Sequence, residues 1–167
     1  MIAGIDLAAK PKNATGICIF YEPGNYELFT LHDDEEIISL VNGIKAEVIG
    51  IDAPLMKKIR IREADKILKK YGAMPPTFPG MKKLCRRAMK IVEKLHGEII
   101  EVFPTATAKI LGIYDKDYRK MAEKLKIKVK NKHELDAYLA AYTVYLYKKG
   151  KGLAVGSEEK IIIPKID

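Results

Sequence analysis

Two short runs nearly coincide in this chain: Ala3-Gly4-Ile5-Asp6 and Ile49-Gly50-Ile51-Asp52. Each is an apolar segment that closes on an aspartate. Side chains alternate along a strand, so each aspartate shares a face with the glycine two residues before it. Neighbouring strands lie about 4.8 Å apart. Two such segments, adjacent and in register, would bring both carboxylates to one edge of a sheet. Glu101 stands near the end of a third apolar segment, and Asp136 near the start of a helical stretch, His133-Glu134-Leu135-Asp136-Ala137. His133 and Asp136 lie one turn apart on one helix face. Carboxylates gathered this closely cannot all stay ionised without a cation. Mg²⁺ or Mn²⁺ takes oxygen ligands and keeps positions open for water and phosphate. Two such ions can clamp the attacking and leaving oxygens of a phosphodiester. Asp6, Asp52, Glu101 and Asp136 are therefore the candidate catalytic set, acting as ligands for Mg²⁺ or Mn²⁺. His133 is a further candidate ligand, with a plain helix-start role as the alternative. A single Asp at a strand end is ordinarily a turn or cap residue, and Glu101 has the alternative of pairing with a nearby lysine.

The elements that must position these residues follow from the pattern. Residues 2–7, 15–21 and 26–31 read as strands, and Glu22-Pro23-Gly24-Asn25 supplies a hairpin turn between the second and third. Asp33 or Asp34 can cap a helix whose apolar face is Ile37, Leu40, Val41 and Ile44. Residues 47–52 form a fourth strand, apolar enough to be buried on both faces. A long helical stretch follows, interrupted by the loop 72–80. Residues 98–102 make a fifth strand, and 117–126 and 133–149 read as helices. Ile161-Ile162-Ile163-Pro164 is expected as a short edge strand. Three hairpin-linked strands followed by two crossover strands imply a mixed α/β sheet with helices on its faces. That order is the ribonuclease H-like one: a five-stranded sheet, order 3-2-1-4-5, with strands 1, 4 and 5 parallel. Ligands of open α/β sheets bind beyond the carboxyl ends of parallel strands, where the four acids would converge. Ala137, Ala140 and Ala141 are small enough to let the last helix lie close to the sheet.

The chain has 167 residues, 48% apolar and 31% charged, with a formal charge of +8. The length fits one domain spanning 1–167, with a basic helical insertion at about 56–97. The composition excludes a disordered or collagenous chain. Two cysteines, Cys18 and Cys85, make no disulfide scaffold, and the start lacks a basic segment before an apolar one. Both features point to a cytoplasmic protein with no membrane partner. Between Lys57 and Lys94 stand 13 Lys or Arg against three acids, so that segment carries +10 and the rest −2. Arg62, Lys83, Arg86, Arg87 and Lys90 are the candidate phosphate contacts, a surface able to grip DNA or RNA without reading sequence. The alternative is a solvated helix face. Phe78, between prolines at a loop tip, is placed either to stack on a base or to plug the core. Arg62 and Asp65, three apart on a helix, are expected to pair, or else to hold the loop after Asp52.

A resemblance adds to this. Gly4-Ile5-Asp6-Leu7-Ala8 with Thr15-Gly16, Ile51-Asp52-Ala53-Pro54-Leu55, Arg62-Glu63-Ala64-Asp65, Glu101-Val102-Phe103-Pro104, Asp136-Ala137 and the Ile161–Pro164 tail resemble an uncharacterised prokaryotic family. It is catalogued as domain of unknown function 429 and labelled a predicted nuclease of the ribonuclease H fold. His133-x-x-Asp136-Ala137 is also similar to the end of RuvC-type Holliday junction resolvases, whose last helix carries metal-binding residues at this spacing. Those enzymes place a Glu on the fourth strand, where this chain has Asp52. The resemblance implies a metal-dependent nuclease acting on nucleic acid, and many nucleases of this fold pair up as homodimers.

Two functions of different class therefore compete: a divalent-metal-dependent nuclease, and a non-catalytic nucleic-acid-binding module of the same fold. A phosphotransferase relative is a third. It lacks support, because the chain has no glycine-rich phosphate loop.

Overall fold

The computed structural model describes residues 1–166. Seven strands form one sheet: β1 (Ile2–Asp6), β2 (Thr15–Glu22), β3 (Asn25–Leu31), β4 (Val48–Ile51), β5 (Glu98–Val102), β6 (Gly152–Val155) and β7 (Ile161–Pro164). Their order is β3-β2-β1-β4-β5-β7-β6. β1, β4 and β5 run parallel to one another, and β2 is antiparallel to both of its neighbours. The first five strands thus take the ribonuclease H-like arrangement that the element order implies. The sheet is wider than expected. The 161–164 segment is not an edge strand, because it pairs with β5 on one side and β6 on the other. The edge is β6, whose Gly150-Lys151-Gly152 entry gives no strand signal.

Six α-helices accompany the sheet: α1 (Asp34–Gly43), α2 (Glu63–Ile67), α3 (Pro79–Val92), α4 (Pro104–Ile110), α5 (Tyr118–Leu125) and α6 (Lys132–Lys148). A 3₁₀ turn, Leu68–Tyr71, continues α2. The sequence pattern assigns no element to 104–110, where the structure has a helix that starts on proline, a residue favoured at the first helical position. α1 and α3 cover one face of the sheet over Ile5, Ile17, Ile49 and Ile51. α6 covers the other face over Cys18, Phe20 and Val48, with α4 and α5 packed outside it. α6 is therefore apolar on two sides, and ten of its 17 residues are buried. Among the described residues, no helix is long and apolar enough to cross a membrane.

Glycines let α6 come close to the sheet. A Cβ at Gly4 would collide with the Ala137 carbonyl and the Ala141 amide, and one at Gly16 with the His133 carbonyl, while one at Gly50 would press on the Val144 side chain. At Gly4 and Gly16 only bare backbone lets the helix backbone seat directly on β1 and β2.

Candidate active site

The register of the parallel strands sets the geometry. Gly4 lies beside Gly50 and Ile5 beside Ile51, and the Asp52 amide continues the ladder by donating to the Ile5 carbonyl at 2.9 Å. Asp6 and Asp52 thus sit level with each other at the carboxyl ends of β1 and β4, on the face that α6 covers. Asn131 caps α6 by accepting from the Glu134 amide at 2.9 Å, which starts the helix beside that edge. Asp136 then falls over the two strand aspartates. His133 Nδ1 lies 3.1 Å from Asp6 Oδ2.

The three aspartates feel one another. Asp52 is pushed well above the usual carboxylate range, first by burial, then by the charges of Asp6, Asp136 and Glu101, and by a hydrogen bond with Asp6. Asp136 is pushed up to about 7, first by burial and then by Asp6, while Lys132 and His133 pull it back. The hydrogen bond to Asp6 raises His133, with the charges of Asp6 and Asp136 adding to it against the opposing effect of burial. Among the described residues, no three His, Cys, Asp or Glu side chains converge tightly enough to hold a metal ion as they stand. The donor set still fits a hard divalent cation. It is all carboxylate oxygen apart from His133, and the like charges that raise Asp52 and Asp136 are what such a cation would relieve.

Glu101 does not join this group. It pairs with Ile51 in the sheet, so it projects with Ile51 and Ile5 from the opposite face. There Arg62 takes both of its oxygens, Nη1 to Oε1 at 2.7 Å and Nη2 to Oε2 at 2.9 Å. The expected alternative of a basic partner is realised, by an arginine rather than a lysine. Burial pushes Glu101 up, and the Arg62 fork pulls it back.

Arg62 is consequently misassigned as a phosphate contact. Only 5% exposed, it spends its guanidinium on Glu101 and on Asp65, with Nε to Oδ2 and Nη2 to Oδ1 both at 3.0 Å. Burial works against its charge, but those bonds outweigh it and hold the charge in place. Arg87 fails for the same reason. It is buried and donates to Asp34 at 2.8 Å and to the carbonyls of Ala8 and His32, each at 2.7 Å. Its spacing gave the signal, since it falls among Leu84, Ala88 and Ile91 on the inward side of α3. Lys83, Arg86 and Lys90 are exposed on the outward side. Phe78 is no core plug either: it precedes α3 and is 47% exposed. Lys132, whose charge reaches both Asp136 and His133, was not singled out in the sequence. A basic residue one turn before an acid carries no distinctive spacing signal.

No protein-family model matches the chain, and no curated protein matches its sequence. Among solved structures, the chain is similar to Thermus thermophilus RuvC in complex with a Holliday junction substrate. The match has 11% identity over 89% of this chain and 95% of that one, with a TM-score of 0.48. A second structure of Thermus thermophilus RuvC matches at 14% identity over 89% and 96%, with a TM-score of 0.44.

Proposed function

We propose that this protein is a divalent-metal-dependent nuclease that hydrolyses phosphodiester bonds in nucleic acid. One observation carries the reading. Asp6 and Asp52 end adjacent parallel strands in register, and Asp136 rides on the helix whose backbone seats against β1. These three residues would hold Mg²⁺ or Mn²⁺. When bound, such an ion supplies the Lewis acidity that phosphodiester hydrolysis requires. Asp6 is held in orientation by His133. Burial, with the neighbouring negative charges, favours the protonated forms of Asp52 and Asp136, so a cation would compete with protons there.

Substrate would reach the acids along a cleft beside Asp52, walled by Met74, Met81 and Phe103 and bordered by Arg62, Asp65 and Glu101. The same turns of α3 that give the cleft Met81 and Leu84 carry Lys83 and Arg86, both exposed. These basic side chains suit a sequence-independent grip on the phosphate backbone.

The test is cleavage of a panel of single-stranded, duplex and branched DNA and RNA with Mg²⁺ or Mn²⁺. The wild-type protein is expected to cleave at least one substrate. Asp6→Asn is expected to lose cleavage and keep salt-sensitive binding. Binding without cleavage of any substrate would leave the non-catalytic binding module in its place.

A further inference from the structure

We propose that Arg62 and Glu101 are positioning residues for Asp52: an ion-pair brace on one face of the sheet that fixes a carboxylate on the other. The inference rests on the reading of Asp6, Asp52 and Asp136 as cation ligands.

Asp52 is the first residue beyond β4, and its amide makes the last rung to β1 through the Ile5 carbonyl. The chain then leaves the sheet through Ala53 and Pro54, and Pro54 has no amide to offer. Its next anchor is the Leu55 amide, which donates to Glu101 Oε1 at 2.8 Å. The exit that carries Asp52 is therefore held at both ends, by a β1 carbonyl and by the Glu101 carboxylate. Glu101 could not serve as a fixed acceptor if it rotated. The Arg62 fork prevents that by engaging both oxygens, and Asp65 fixes the fork in turn. Asp65 accepts from Nε and Nη2 of Arg62 and, at 2.8 Å, from its backbone amide. A planar guanidinium can satisfy two carboxylates in this way, whereas a lysine ammonium cannot.

Arg62, Asp65 and Glu101 border the cleft beside Asp52, but their polar atoms are spent on one another. The side chains of Arg62, Asp65 and Glu101 are 3%, 7% and 7% exposed. A buried ionic cluster of this kind adds little stability over apolar packing of the same volume. What it adds here is a defined position for the backbone three residues from Asp52. Partners behind a metal ligand commonly change cation affinity by about 10- to 100-fold when removed.

The experiment measures Mn²⁺ affinity by titration calorimetry, and metal-free amide hydrogen exchange at Asp52 and Ala53, in wild type, Glu101→Ala, Glu101→Gln and Arg62→Lys. Glu101→Ala is expected to weaken Mn²⁺ binding by at least about tenfold and to speed exchange at the Asp52 amide. Glu101→Gln, which keeps an oxygen for the Leu55 amide, is expected to fall between Glu101→Ala and wild type. If Glu101→Ala fails to fold, Arg62→Lys carries the same two measurements. A lower melting temperature with Mn²⁺ affinity and Asp52 exchange both unchanged would overturn the proposal. If wild type binds no Mn²⁺, the cation-ligand reading fails by itself. Exchange at Asp52 then decides the brace: faster exchange upholds it and unchanged exchange overturns it.

Discussion

The sheet carries two groups of acids at the same edge, one on each face, and they are managed in opposite ways. On the face away from α6, Asp65 and Glu101 share the guanidinium of Arg62, and every polar contact is made within the protein. On the face under α6, Asp6, Asp52 and Asp136 have a half-exposed histidine and Lys132 nearby, and two of the three are pushed toward the neutral form. A carboxylate with a built-in cation is a structural part. A carboxylate cluster in which burial and like charges favour the protonated form of two members suits a cation supplied from outside.

The largest expected effect belongs to the uncompensated face. Asp52→Asn should reduce Mn²⁺-dependent cleavage by at least about 1000-fold with its thermal unfolding midpoint no lower than wild type. Single-turnover assays and a melt check both halves. A cleavage loss matched by unfolding would break the contrast, because Asp52 would then be structural as well.

The compensated face should respond in the opposite sense. Arg62→Ala leaves two buried carboxylates without their shared cation, which should cost about 3 kcal/mol of stability in urea unfolding. A cost near zero would show that the pair is not buried as a unit.

Acidity sharpens the comparison further. Asp136 has an unfolded value near 3.9 and a folded value of about 7. The native state therefore holds a proton that the unfolded state gives up between those limits. Stability of the metal-free protein should fall as pH rises from about 4 to about 7, by on the order of 3 kcal/mol. Asp52 is raised in the same sense and adds to that fall, so Asp136→Asn should make it shallower rather than remove it, and Mn²⁺ added at pH 8 should restore stability to the wild type but not to the variant.

The smallest effect concerns α3, which divides its arginines between the same two fates. The triple change Lys83→Ala, Arg86→Ala, Lys90→Ala should lower the slope of log affinity against log salt by up to about 3. Arg87→Ala should leave that slope alone and lower stability instead.

The contrast between the faces explains what could be read from the residues. The β1 and β4 repeats are self-announcing, because Gly4-Ile5-Asp6 and Gly50-Ile51-Asp52 carry both parity and register in matching letters. The strand order follows from element types and connection lengths. Glu101 is different. Whether it points with Asp52 or away from it depends on a one-residue choice of register between β4 and β5, and Glu98–Val102 contains nothing that fixes it. Arg62 was legible as a partner of Asp65 from the three-residue spacing, but its reach to Glu101 spans 39 positions and has no local signature. The inward Arg87 was legible by its place in the apolar stripe, and net charge obscured it. β6 and α4 escaped notice because short segments next to glycine or proline give weak periodicity.

Gly4 and Gly16 tie the last helix to the acid cluster. One added methyl group at either position would meet helix backbone, lift that helix away from the strands and carry off the acid that rides on it. The seat of the helix and the proposed ligand set thus depend on the same bare backbone atoms. On the reading of these acids as cation ligands, a variant that loosens this seam should lose Mn²⁺ affinity before it loses its shape.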